Sequence, residues 1–320
     1  MLTRVSVCWA DGRRADALTS DALNTLHVVE GAGGSARAVD RAAAAVVEQA
    51  RANGWVPTVI GLADIDARLG EIERLVLCGG DGLVHRAVQH VAGTGVDVAV
   101  VPVGSGNDFV RAFGITAATA TALATAAPGT ATVRAVDLIE TCPALGDELP
   151  VHRYAASVLT AGYSGRVNET ANRMRFPPGS AKYTVAAVRE IGRLTPRLVN
   201  LTMQLPDGPA VAIEEPLTLV AIGNTAWFGG GMEICAGAEP SDGLLQVVVV
   251  GPLSRRAFLR WLPRSFKGTH GEHPAVTTIA ATEVTIDTRE SLWADGEPFA
   301  AAPVTVRAAP GALRLCVPSG

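Results

Sequence analysis

Lysine is almost missing from this 320-residue chain, which has only Lys182 and Lys267 among 27 Lys and Arg. Neither follows a glycine run, so the G-x-x-x-x-G-K-[ST] phosphate loop is excluded. Cysteine is sparse as well. Cys8, Cys78, Cys142, Cys235 and Cys316 are scattered, odd in number and free of C-x-x-C spacing, which argues against a zinc ribbon or disulfide framework and fits a reducing cytosol. Long apolar runs are absent: LLQVVVV at 244–250 falls far short of the ~20 residues that span a bilayer. The N-terminal MLTRVSVCWADGRRADALTS lacks the apolar core of a signal peptide. A formal charge of -4 and a pI near 5.9 suggest neither a nucleic-acid footprint nor a polybasic membrane anchor. The expectation is a soluble, cytoplasmic protein of one or two domains without nucleic acid as partner.

The first 140 or so residues alternate β-branched runs with alanine-rich stretches. HVV (27–29), VPTVI (56–60), RLVLC (74–78) and VDVAVVPV (96–103) read as strands. Helices are expected from Ser35 to about Ala52, Leu83 to Val91 and Phe109 to Phe113. Strands that are nearly all apolar, alternating with helices, predict a parallel α/β sheet covered on both faces. Beyond Asp137, strand-like runs follow one another at 153–162, 198–205, 217–224, 244–250 and 282–288. The helices expected there are Ser180–Arg193 and Ser254–Phe266. That texture predicts a β-rich, antiparallel, sandwich-like second domain.

Two strand–glycine–helix turns stand out, LVLCGGDGLVHRAV (75–88) and PVGSGNDF (102–109). Glycine turns at the carboxyl ends of parallel strands present backbone N–H groups and a helix N-terminus to an anion. The dinucleotide fingerprint fails, because His85 stands where its third glycine belongs. Each turn also carries an aspartate, Asp81 and Asp108, which would repel bare phosphate. A cation resolves the conflict, since Mg²⁺ bridges carboxylates to substrate phosphates. The chemistry this implies is phosphoryl transfer from Mg·ATP. The alternative is that each aspartate caps the helix next to it.

Four blocks together resemble the diacylglycerol kinase catalytic family, the lipid kinases that also include sphingosine and ceramide kinases. GGDGLVHRAV is similar to its GGDGT loop, and VPVGSGNDFVRAFGI to its P-x-G-T-G-N-D-F-A-R block. AIGNTAWFGGGMEICAGAEPSDGLLQV (221–247) and WADGEPF (293–299) resemble its later blocks, in the same order and spacing. The resemblance implies a nucleotide-binding α/β domain over 1–137 and 300–320, a lipid-substrate domain over 138–299, and an active site in the cleft between them. It implies Glu297 as the general base toward a lipid hydroxyl, with Asp81 and Asp108 organising catalytic Mg²⁺. Gly79, Gly80, Asp81, Gly82, Leu83, Gly104, Ser105, Gly106 and Asn107 would contact ATP. A structural Mg²⁺ would sit on Glu239, Asp242 and the carbonyl of Leu244. Read without the resemblance, Glu297 belongs to a tight D-G-E turn between strands.

This chain departs from the family pattern in places. Leu83 replaces the GGDGT threonine, Ser105 replaces that of G-T-G-N, and VEGAGGSAR (29–37) lacks the Asn-Pro of the first phosphate loop. Residues 1 to about 20 extend beyond the family core. His270 and His273 in GTHGEH read as surface or cleft residues rather than metal ligands, and RMRFPPGSAKY (173–183) reads as a solvated loop or a membrane-facing one. The leading function is an ATP- and Mg²⁺-dependent kinase for a lipid alcohol, most simply diacylglycerol, met at a membrane surface by a peripheral protein. The alternatives are another GGDG kinase, such as an NAD kinase, and a nucleotide-binding regulator without catalysis. The sequence names neither the lipid nor whether the chain pairs as a homodimer.

Overall fold

The computed structural model describes residues 5–9, 25–30, 36–127, 129–142, 153–177 and 181–319. The glycines at 31, 33 and 34, most of residues 1–20 and residues 178–180 lie outside these. The chain divides into two compact units, residues 1–136 with 311–320, and residues 137–310.

The first unit runs β1 (Val5–Trp9), β2 (Thr25–Glu30), α1 (Ala36–Ala52), β3 (Val56–Gly61), α2 (Ile65–Arg68), β4 (Arg74–Gly79), α3 (Asp81–Val91), β5 (Asp97–Pro102), α4 (Asp108–Arg111) and α5 (Ala117–Thr125). Strands β3, β2, β4 and β5 lie side by side, all parallel, and residues 314–315 add a further parallel partner to β5. Every residue of β4 is buried. Successive side chains of a strand point to opposite faces, so both faces of this strand are covered, as its unbroken apolar run predicts. Helices α1 and α5 pack together, while α3 packs on β4. Helix α5 starts at Thr116, whose hydroxyl accepts from the Thr119 amide, a capping box. Helix α4 is shorter than expected. Its end tightens into i→i+3 bonds from Ala112 and Phe113 and stops at Gly114 with φ 65°.

Two long strands carry the chain between the units, β6 (Thr132–Cys142) and a final strand at Val304–Val317. Between them run β7 (Tyr154–Ala155), β8 (Val158–Gly162), α6 (Tyr163–Arg173), α7 (Ala181–Gly192), β9 (Arg197–Gln204), β10 (Val211–Leu217), β11 (Leu219–Gly223), β12 (Leu245–Val250), α8 (Arg255–Ser265), β13 (Val276–Ala281), β14 (Glu283–Thr288), β15 (Trp293–Ala294) and β16 (Glu297–Pro298). The final strand is β17. Strands β13-β12-β11-β8-β15-β16 form one antiparallel sheet. The opposing sheet contains β10-β9-β14 and residues 304–307 of β17, also antiparallel.

The core of this unit has two storeys. Leu159, Val220, Ile222 and Val247 of the six-stranded sheet meet Val199, Leu201, Val284 and Ile286 of the opposing sheet. Their neighbours Val158, Leu219, Ala221 and Val248 turn the other way, onto Tyr163, Phe258 and Trp261 of α6 and α8. Central strand β11 is buried on both faces, hence all apolar, whereas β9 and β14 alternate buried and exposed residues. Each fully buried side chain of Leu or Phe size contributes ~1.5–3 kcal/mol of transfer free energy. Helix α6 was not expected from the sequence. It is entered from Gly162 at φ 83°, where a Cβ would come within 2.8 Å of the Thr218 carbonyl oxygen, and it buries mainly small residues.

Candidate active site

In the first unit, β4 and β5 run in register, Gly79 beside Pro102, so the turns at their carboxyl ends leave the sheet side by side. They then pack backbone to backbone. A Cβ added at Gly104 would lie 2.6 Å from the Gly80 Cα, so no side chain fits at the contact. The Asp81 carboxylate reaches across and accepts the Phe109 amide at 3.0 Å. It therefore caps the helix of the second turn rather than its own. Asn107 adopts the left-handed conformation, φ 53° and ψ 42°, and its Nδ2 donates to the Gly104 carbonyl at 2.7 Å. Left-handed backbone is tolerated by asparagine. The result is one cradle made of two loops.

Asp108 is buried, with the Arg111 guanidinium 3.9 Å from its Oδ1. Ser105 is exposed, whereas Gly82 and Gly106 are half-buried. Leu83 is only 3% exposed, and its amide donates to the Gly80 carbonyl at 2.9 Å. Its side chain is buried in the core.

In the second unit, the D-G-E segment is a tight turn between β15 and β16, with Asp295 at φ 53° and Gly296 at φ 86°. The Asp295 carboxylate accepts the amides of Ala156 and Ser157, each at 2.8 Å. Glu297, two residues on, is half-buried, and among the described residues no hydrogen bond or ion pair engages its carboxylate. Tyr183, in the first turn of α7, lies close enough to feel its charge. Burial, and secondarily Glu297, push the Tyr183 phenol above its ordinary range. Arg166 of α6 donates to Glu290 at 2.6 Å, tying that helix to the segment leading into the turn.

The third D-G turn holds the expected structural cation ligands. Glu239 and Asp242 are both exposed, and one Asp242 oxygen accepts the Leu244 amide at 2.9 Å. Sequence reasoning missed what organises this turn. Buried Asp137 accepts the Gly243 amide at 2.7 Å through its carboxylate, and its own amide donates to Pro240 at 2.8 Å. Buried Asn224 in turn donates to the Asp137 and Ala156 carbonyls at 2.7 and 3.1 Å. Among the described residues no cluster of three or more His, Cys, Asp or Glu side chains is placed to hold a metal.

His270 is a core residue rather than a surface one. Its Nε2 lies 2.8 Å from the Ile234 carbonyl and its ring stands edge-on to Trp261. Burial lowers its pKa. The Nδ1 of His273 accepts the Ala275 amide at 3.1 Å. Among the described residues no helix is long and apolar enough to cross a membrane.

A parallel α/β unit with paired glycine–aspartate turns, in a chain that continues into an antiparallel sandwich, defines a class of kinases. Comparison with known proteins narrows it. The diacylglycerol kinase catalytic domain family matches residues 37–141, and the YegS C-terminal NAD kinase beta sandwich-like domain matches residues 157–317. A diacylglycerol kinase of Mycobacterium tuberculosis is 35% identical over 77% of both chains. A YegS-like lipid kinase of Stenotrophomonas maltophilia is 28% identical, covering 78% of this chain and 80% of that one. The crystal structure of a diacylglycerol kinase from Bacillus anthracis shares the fold at a TM-score of 0.64 and 16% identity, covering 98% of this chain and 97% of that one. The chain belongs to the diacylglycerol kinase catalytic family of lipid kinases and is itself a kinase.

Proposed function

We propose that this kinase transfers the γ-phosphate of ATP, with Mg²⁺, to the hydroxyl of a membrane lipid alcohol, with diacylglycerol as the first candidate. The observation that carries the reading is the contrast inside the D-G-E turn. Asp295 is spent on two backbone amides, while the Glu297 carboxylate is half-buried and takes part in no hydrogen bond or ion pair among the described residues. A carboxylate kept out of ion pairs retains its capacity to take a proton.

Each unit carries part of the chemistry. In the first, the backbone of 79–82 and 104–107 lines the phosphates, and Asp81 and Asp108 supply the hard oxygen donors that suit Mg²⁺. The donor set fits the ion: two carboxylates stand on one cradle, Asp81 reaching from the first turn to the second. Bound Mg²⁺ supplies charge neutralisation for the transferring phosphoryl group. In the second unit, Glu297 accepts the hydroxyl proton as the lipid oxygen attacks phosphorus. A second cation on Glu239, Asp242 and the Leu244 carbonyl has exposed oxygen donors available. Use of ATP accords with a cytoplasmic enzyme that meets its lipid at a bilayer surface.

The test is turnover of radiolabelled ATP with dispersed diacylglycerol, other lipid alcohols, and NAD as acceptors. Labelled phospholipid is the expected product. Labelled NADP instead would replace the reading with a nucleotide kinase, and ATP binding without transfer to any acceptor would make the chain a regulator.

A further inference from the structure

Among the described residues, all six large hydrophobic side chains that are exposed lie in the second unit: Phe176, Val185, Val188, Leu198, Leu259 and Phe266. Five of them fall in two stretches, 173–197 and 254–267. These stretches also hold eleven of the 27 Lys and Arg but only one of the 31 Asp and Glu. That one, Glu190, is buried, bonded by the Thr170 hydroxyl at 2.9 Å and flanked by Arg193 and Arg166. A chain of net charge -4 has thus gathered its positive charge and its exposed apolar side chains in the same segments.

Helix geometry puts them on outward faces. Helix α8 buries Phe258, Trp261 and Ser265 and exposes Arg255, Arg256, Leu259, Arg260, Pro263 and Arg264. Helix α7 buries Ala186 and Glu190 and exposes Thr184, Val185, Val188 and Arg189. The two helices touch, and both pack on the same cluster over the six-stranded sheet. Among the described residues Arg175, Arg189, Arg255, Arg256, Arg260, Arg264 and Lys267 make no ion pair. Arg173 and Arg197 are paired to Glu169 and Glu290, and the Glu233 carboxylate lies against Gly268, next to Lys267. An ordinary solvated helix mixes both charge signs on its outer face and hides its large apolar side chains. The outward faces of this pair carry only basic charge and leave Val185, Val188 and Leu259 exposed.

We infer that the outward faces of α7 and α8, with Phe176 and Phe266, dock on an anionic phospholipid bilayer. The inference deepens the lipid-kinase reading and rests on it for the choice of bilayer over other anionic surfaces. Arginines meet lipid headgroups while Phe176, Val185, Val188, Leu259 and Phe266 enter the headgroup–acyl boundary, the arrangement of an interfacial amphipathic helix. The face continues to the first turn of α7, where Tyr183 lies close enough to feel the Glu297 charge. Docking there brings the proposed base toward the surface that holds its substrate.

The experiment is co-sedimentation of the full chain with vesicles of phosphatidylcholine, with and without phosphatidylglycerol. Three proteins are compared: wild type, the triple variant Arg256→Glu/Arg260→Glu/Arg264→Glu, and the control Arg41→Glu at an exposed position of α1. Each lysine or arginine near an anionic surface is worth about fivefold in partition. The triple variant is therefore expected to lose at least ~10²-fold on anionic vesicles, while the control sediments like wild type. Val188→Asn, which changes no charge, is expected to lose roughly tenfold through its apolar contact. Kinase activity on lipid in bilayers should fall at least ~10-fold more in the triple variant than activity on the same lipid in detergent micelles. Equal sedimentation of wild type with both vesicle types, or of triple variant and wild type, overturns the inference. So does a wild-type dimer that the triple variant converts to monomer without any vesicle binding, which would assign the face to a second copy. Charge-dependent vesicle binding without lipid phosphorylation supports the docking face and overturns the kinase reading alone.

Discussion

The D-G turn of the first unit and that of the second use their aspartates alike and differ in the residues just beyond. Asp81 gives an oxygen to the Phe109 amide and locks two loops together. Asp295 gives both oxygens to Ala156 and Ser157 and locks a turn to β8. In the second unit a further carboxylate, Glu297, stands two residues along with no such duty among the described residues. Asp295 is therefore committed to the backbone, Glu297 carries no such bond among the described residues, and the metal role proposed for Asp81 would come on top of its bond to Phe109. Substitutions at these positions should separate along that line.

Glu297→Gln tests the free end of the comparison and should have the largest effect. Glutamine preserves shape but takes no proton, so kcat should fall by ~10²–10⁴, with ATP affinity and melting temperature unchanged because no partner is lost. Turnover within a few-fold of wild type would pass the base to Asp81 or Asp108. Lost ATP binding would move Glu297 into the nucleotide or metal site.

Asp81→Asn tests the divided case. The amide oxygen still accepts from Phe109, so the two loops stay joined and the fold persists. The charge that holds Mg²⁺ is gone, and turnover at saturating Mg·ATP should drop ~10²–10³-fold. Near-normal turnover in this variant would leave Asp81 as a cap only, equivalent to Asp295.

Asp295→Ala tests the fully committed aspartate, by stability rather than rate. Ala156 and Ser157 are buried, so removing the carboxylate strands two amides. Hydrogen bonds to a charged group are worth ~1.5–3 kcal/mol each, and alanine is also strained at φ 53°. A loss of about 3 kcal/mol is expected in denaturant unfolding, with Asp295→Asn milder because asparagine keeps an acceptor and tolerates the conformation. An unchanged midpoint for Asp295→Ala would erase the distinction between the turns.

How far this contrast was legible in the sequence depends on distance along the chain. The glycine turns and the D-G-E turn were visible because their chemistry is local, and the apolar runs of β4, β5, β11 and β12 were visible because strands buried on both faces admit little else. The bond from Asp81 to Phe109 spans 28 residues, and those from Asp295 reach back 139 and 138. No local pattern encodes such partners. Asp137 and Asn224 escaped notice for the same reason. Leu83 looked like part of a binding loop because it follows the glycine–aspartate turn directly, yet the helical repeat turns its side chain into the core. Helix α6 was missed because YSGRVNETANR has few apolar residues and buries small ones. Strand β10 was missed because an outer strand, paired among the described residues with β9 alone and carrying Glu214, Glu215 and Pro216, lacks an apolar run.

Asp242→Ala sharpens the comparison at its weakest end, the third D-G turn. Asp242 resembles Asp81 in having one oxygen tied to a backbone amide, that of Leu244 at 2.9 Å, but it is exposed. The turn is also held independently by buried Asp137, which takes the Gly243 amide. Losing the Asp242 bond should cost no more than ~1 kcal/mol without metal. If a cation binds Glu239, Asp242 and the Leu244 carbonyl, it binds only the folded chain and adds stability that grows with its concentration. Wild type should then melt higher in Mg²⁺ than in chelator, and Asp242→Ala should lose that increment while keeping most of its metal-free stability. Identical melting in Mg²⁺ and chelator for both proteins would reject the site, leaving Asp242 as a turn residue like Asp295. An increment that survives in Asp242→Ala but vanishes in Asp81→Asn would move the cation to the first unit, where Asp81 and Asp108 already supply oxygen donors.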